Sequence, residues 1–216
     1  MLTYKTMIID SPDMICSCPV FKINNAQWTC KRKPSAQGRM AYIPGQGLFI
    51  SMSCDETDPL RTVSENMGRV CGDSALEAFF AFPDADAPLD GEGCPSNDGL
   101  YFNFEINANG ALYAKTGRGR KNRFPLTAEE MIEASPSAWV SHDGWGAEFL
   151  VPSDLLLRSA GIEELDIGSV FFCNFYKISE NPNIEHYFSF SPVQSDTPNF
   201  HLPRYFAKSI VGGRLL

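Results

Sequence analysis

The segment Tyr101-Phe-Asn-Phe-Glu-Ile-Asn107 alternates apolar and polar residues without a break. Side chains along a strand point to opposite faces in turn. Phe102, Phe104 and Ile106 therefore share one face, and Tyr101, Asn103, Glu105 and Asn107 share the other. A helix would scatter both sets around its axis. Asn107-Ala-Asn-Gly110 follows at once, and Asn and Gly accept the positive φ of a hairpin turn, so residues 111–114 are expected to return as a second strand.

The same reading along the chain gives strands at 48–53, 74–82, 145–151, 170–178, 187–190 and 206–211, with a hairpin at 139–145 around Asp143-Gly144. Helix is scarce. Thr127 with Glu130 has capping-box spacing at the start of one short helix. A second runs from Pro152 to Leu157 and would end at Gly161. Many strands, few helices and turns rich in Gly and Pro predict an all-β chain, an antiparallel β-sandwich of jelly-roll type with one or two short helices. No repeat or boundary divides it, so 1–216 is expected to be one domain. Residues 1–40 carry little pattern and read as an edge strand plus a loop over the sandwich.

A chain of 216 residues with 44% hydrophobic content and sixteen Phe can bury a large aromatic core. At this length, folding removes roughly 70% of the unfolded surface from water, so no staple is required. The net charge of −8 argues against a nucleic-acid partner. No apolar run approaches the ~20 residues needed to span a bilayer, so no membrane partner is expected. Seven cysteines at irregular spacings fit free thiols better than a disulfide framework. With no signal peptide visible, the expectation is a cytoplasmic protein, or a secreted one if a leader has been removed.

Alternation brings chemistry together on one sheet face. In 74–82, Leu76, Ala78, Phe80 and Phe82 turn to the core while Glu77 turns away. In 170–178, Phe171, Cys173 and Phe175 oppose Phe172, Asn174 and Tyr176. Glu77, Asn103, Glu105, Asn174 and Tyr176 form the candidate ligand-binding patch. Carboxylates and amides hydrogen-bond vicinal hydroxyls, and an aromatic ring offers apolar area to a sugar's C–H face. The plain alternative is the solvated outer face of any sandwich sheet.

Several motifs sharpen this. Asp73-Ser74-x-x-Glu77-x-Phe79-Phe80, Tyr101-x-Asn103-Phe-Glu105 with Asn109-Gly110, and Trp145-x-x-Glu148-x-x-Val-Pro152 resemble strands of family 9 carbohydrate-binding modules. So do Gly168 with Asn174-Phe-Tyr-Lys177, and Ser189-x-Ser-Pro192 with Phe200-His-x-Pro203-x-x-Phe206. These motifs follow family order from about residue 48 to 211. The resemblance implies a β-sandwich, a saccharide as partner, no catalysis, and sugar contacts from Glu77, Asn103 and Asn174. It also implies a pair of clamping tryptophans, one just before Asp73. Here that stretch is Val70-Cys71-Gly72, and Tyr101 stands where binding members often carry Arg. Tyr176, Tyr113 or an aromatic from the side of the 83–99 loop is the expected substitute for the ring.

Two rival functions remain open from sequence: an interaction module that kept the fold but lost sugar binding, and a weak glycoside hydrolase using Glu77 and Glu105. No cofactor is expected. Asp84, Asp86, Asp90 and Glu92 offer the oxygen ligands calcium takes, with a solvated acidic loop as the first expectation. His142, His186 and His201 lack metal spacing, and His201 is expected to be a hydrogen-bonded structural residue. The basic cluster Gly117-Arg-Gly-Arg-Lys-Asn-Arg123 reads as a mobile, solvated loop.

Overall fold

The computed structural model describes residues 1–83 and 85–215. The strands in chain order are β1 (Thr3–Ile8), β2 (Val20–Ile23), β3 (Asn25–Ala26), β4 (Ala36–Ile43), β5 (Gly47–Cys54), β6 (Ala75–Ala81) and β7 (Leu100–Asn107). They continue as β8 (Leu112–Arg118), β9 (Asn122–Pro125), β10 (Ser137–Ser141), β11 (Gly144–Pro152), β12 (Val170–Ser179), β13 (His186–Ser189) and β14 (Ala207–Arg214). Two helices, α1 (Ala128–Glu133) and α2 (Ser153–Ala160), complete the set. Hydrogen bonding runs in the order β10-β11-β5-β4-β1-β14-β12-β6-β7-β8-β9, so one sheet curls over into two facing layers.

The apolar halves of the alternating strands meet between the layers. Phe104 of β7 stacks on Phe149 of β11 with centroids 5.3 Å apart, and Phe21 of β2 stacks on Phe175 of β12 at 3.6 Å. Leu76, Ala78, Phe80, Phe102 and Ile106 join the same cluster. Each such ring contributes about 1.5–3 kcal/mol by leaving water. This inner layer leaves the opposite faces of β6, β7 and β12 to build the site.

The expectation of a purely antiparallel sandwich needs correction, because the sheet is mixed. β1 runs parallel to β14, with Thr3 opposite Lys208, and parallel to β4, with Met7 opposite Ala41. Parallel neighbours need long connections, and β1 and β14 come from the two ends of the chain. A period of two is the same for either direction, so alternation could not reveal it. β1 is also no edge strand. It sits between β4 and β14, with Thr6 buried and its hydroxyl 2.6 Å from that of Ser209.

Both helices form where expected. Thr127 caps α1 through its side chain, and Glu130 answers at the Thr127 N–H, 2.8 Å away. α2 ends at Gly161, whose φ of 66° suits a residue without a side chain. All seven cysteines are free thiols. No described helix is long and apolar enough to cross a membrane.

Candidate functional site

The outward faces of β12, β6, β7 and β8 line up in cross-strand rows. One row reads Tyr176, Glu77, Glu105, Tyr113. The next reads Asn174, Phe79, Asn103, Lys115. A third runs from Phe172 through Ala81 and Tyr101 to Gly117, opposite Arg123 of β9. Above these rows lies a cavity of about 410 Å³ with Glu77 and Glu105 in its floor.

Two glutamates opposite one another are an unusual floor, because like charges across a strand pair repel. Glu77 is 3% exposed and Glu105 7%. Burial pushes both carboxyls up, Glu77 the further, since the charge of Glu105 adds to its rise. The Arg123 guanidinium opposes the rise in both. Near neutrality the pair therefore keeps a proton, giving one O–H donor beside several acceptor lone pairs.

Asn103 lies fully buried behind this pair and does not line the cavity. Its amide donates to Glu105 Oε1 at 2.9 Å, while its carbonyl accepts from Arg123. Arg123 reaches it across Gly117, which has no side chain to block the path, and lies 5.4 Å from the centre of the Tyr101 ring. Arg120 and Arg123 both line the cavity. The basic segment is thus no loose loop: residues 119–121 form a tight turn between β8 and β9 that lays two guanidinium groups at the rim.

One wall is the segment Met67–Cys71. Asp73 fixes the chain leading into it by accepting from Thr62 N, Thr62 Oγ1 and Val63 N at 2.7–2.9 Å. Asn107 donates to both Asp73 and the Val63 carbonyl. These polar residues account for the Asp-Ser and Asn-rich motifs as anchors of the wall. Burial and the charges of Glu180 and Glu105 push the Cys71 thiol in this wall up to about 12.

The other wall is aromatic. Phe200 stacks on Tyr176 at 4.0 Å and meets Trp28 at 5.0 Å, and Trp28 also packs edge-on against Tyr187. The Trp28 indole donates to the Ser195 carbonyl at 2.7 Å, tying the 195–201 loop down. His201 sits beside it, its Nδ1 3.0 Å from the Tyr101 hydroxyl and its ring 5.0 Å from that of Phe79. Burial and the two arginines hold it neutral, in agreement with a structural role.

Of the five expected ligand-binding residues, Glu77 and Glu105 line the cavity and Asn103 supports Glu105 from behind. Asn174 and Tyr176 share their face but do not reach the cavity. The Asn174 amide is spent on the backbone, donating to Ser191 O and accepting from Ser191 N and Phe175 N. Tyr176 lies beneath Phe200, which presents the ring in its place. Alternation gave no warning of Trp28, Phe200 or the rim arginines, because each arrives from a distant loop or turn.

Among the described residues, arginines pair with the carboxylates of the acidic loop. Asp84 lies outside the described residues, and Asp86 pairs with Arg118. Arg204 holds Asp90 at 2.6 Å and Glu92 at 2.9 Å, and the third side chain of that group is Cys94, a soft thiol.

By fold and by site the chain is a β-sandwich module with a walled, polar-floored hollow on one sheet. It belongs to carbohydrate-binding family 9, whose model matches residues 12–210. A crystal structure of a candidate carbohydrate-binding protein from Bacteroides uniformis superposes with a TM-score of 0.78 at 21% identity, covering 97% of this chain and 99% of that one. A family 9 module from Caldicellulosiruptor kristjanssonii in complex with cellotriose gives 0.60 at 13% identity over 99% and 93% of the two chains. The same organism's module in complex with glucose gives 0.59 at 13% identity over 99% and 95%. At these identities the likeness is one of fold. No curated protein matches the sequence significantly.

Proposed function

We propose that this protein holds the end of a saccharide in the hollow over Glu77 and Glu105 and does not transform it. The observation that carries the reading is the buried, directly paired Glu77 and Glu105 in the floor of the hollow, flanked by Tyr113 and backed by the Phe200 wall. Sugar hydroxyls need neighbouring donors and acceptors at once. The protonated Glu77 supplies the donor, Glu105 accepts, and Arg120 and Arg123 donate from the rim. The Tyr113 ring, half-buried, offers an apolar surface to the C–H face. Cellotriose and glucose bound to the Caldicellulosiruptor modules make β-linked glucose units the first ligands to try.

Hydrolysis fits the geometry poorly. A glycosidase sets its two carboxyls on either flank of the scissile bond. Glu77 and Glu105 stand side by side in one floor and approach a ligand from the same side. A plugged, purely adhesive domain also fits poorly, because the 61–63 stretch is anchored away and the hollow stays open between its walls. The calcium expectation is set aside on the donor set above, and no cofactor is proposed.

Isothermal titration with glucose, cellotriose and a panel of other mono- and oligosaccharides tests this. Saturable heat is expected with at least one sugar. Glu77→Ala should weaken it about 5- to 150-fold, the cost of ~1–3 kcal/mol for an orphaned hydrogen-bonding group. A folded wild-type protein that gives no heat with any sugar rules the proposal out.

A further inference from the structure

The outer face of the other layer carries a second row that the hollow does not use. Lys22 of β2 lies opposite Gln37 of β4, Gln37 opposite Ser53 of β5, Ser53 opposite Gly146 of β11, and Gly146 opposite Trp139 of β10. Five adjacent strands at ~4.8 Å spacing make a straight track on the order of 19 Å long. At the end of these strands an open groove of about 720 Å³ is lined by Lys22, Gln37, Ser53 and Trp139 of the track and, at its inner side, by Cys54 and Trp145 of the next row.

Trp139 is the feature that needs a reason. It is 43% exposed on the edge strand β10, where a large apolar ring gains little by folding alone. The backbone under it is prepared for it. A Cβ on Gly146 would lie 2.2 Å from the indole Cζ2 and 2.7 Å from Cε2, so the benzo ring rests over a residue that must lack a side chain. The ring is thereby seated on the sheet with its outer side turned to the groove. Along the track, among the described residues, the Lys22 amine, Gln37 amide and Ser53 hydroxyl make no hydrogen bond to the protein.

We infer that this track is a second saccharide-binding surface, built for the middle of a β-linked pyranose chain. Equatorial hydroxyls leave such a ring with a flat C–H face that stacks on an indole, while its edges offer hydroxyls to an amide, a hydroxyl and an amine in line. The groove is open at the surface, which suits an internal stretch of polymer, whereas the walled hollow on the opposite layer suits a chain end. The inference stands on different residues from the proposed function, so either can fail alone.

Affinity electrophoresis through gels containing hydroxyethylcellulose, xylan or galactomannan tests it, with wild type, Trp139→Ala, Gln37→Ala and Glu77→Ala run side by side. Wild type should be retarded in at least one gel. Trp139→Ala should lose at least about tenfold in affinity, and Gln37→Ala, on a different strand, should lose affinity in the same gel. Both should keep the wild-type melting temperature and the wild-type calorimetric response at the hollow. Retention of Trp139→Ala and Gln37→Ala equal to wild type overturns the inference, as does a wild type that no gel retards. Loss with Glu77→Ala alone overturns it while leaving the hollow intact. Loss with Trp139→Ala and none with Glu77→Ala supports the track, the hollow being read separately by calorimetry with short sugars.

Discussion

Replacing Glu77 with glutamine should flatten the pH dependence of folding stability. Glu77 and Glu105 face one another across adjacent strands, and burial raises both carboxyls. In the unfolded chain both ionise near the ordinary carboxylate value. Between that value and the raised native one, the folded pair holds a proton that the unfolded chain has released. A raised native pKa contributes stability that is complete below the unfolded value and is lost as pH climbs through the native one. With one extra proton on the folded state, stability falls by about 1.4 kcal/mol per pH unit. Between about pH 5.5 and about pH 7 that amounts to about 2 kcal/mol. In a domain of this size the corresponding drop in melting temperature is about 4–8 °C. The amide introduced by Glu77→Gln keeps the shape of the neutral acid and removes Glu77's share of the linkage, leaving that of Glu105. Urea unfolding of both proteins across this interval reads the effect. The difference between them cancels His186 and His201, which burial keeps neutral and which bend stability the opposite way. Parallel curves for wild type and Glu77→Gln would refute the shared proton.

Lys177 is fully buried, 3.3 Å from Glu56 and 2.9 Å from His186 Nε2, so Lys177→Met should destabilise by about 3–5 kcal/mol. Denaturant melts should show a smaller loss for the double variant Glu56→Gln/Lys177→Met, which leaves no orphaned charge. Asn174→Ala should cost about 1–3 kcal/mol by stranding the Ser191 backbone. Calorimetry on that variant, at a temperature where it is folded, should return wild-type sugar affinity; a large loss would return Asn174 to the contact set. Because Arg204 already pairs with both Asp90 and Glu92, calcium or a chelator should leave the melting temperature unchanged. A rise of several degrees with calcium would show a site where none is proposed.

Much of this fold is written locally. Phe102, Phe104 and Ile106 announce a core face by period, and Asn107 to Gly110 announce the turn that follows. Thr127 with Glu130 marks a helix start that the structure contains. Strand direction is not local, so the parallel place of β1 escaped. In the site, alternation correctly put Glu77, Asn103 and Glu105 on one face, because that depends only on φ and ψ within two strands. It could not tell that Asn174 and Tyr176 lie under another part of the chain. That cover comes from the 190–201 loop, which Trp28 fastens from 167 residues away. The rim arginines were visible as a cluster, but their position depends on how β9 folds back along β8 across Gly117.

The sharpest test is where a sugar touches the protein. Backbone amide shifts followed by NMR during titration with cellotriose should move at residues 77, 105, 113, 120 and 123 and at the 199–201 stretch, saturating together. A saturable ligand that leaves those amides still and perturbs only positions away from the hollow would mean that the buried acid pair is not a sugar floor.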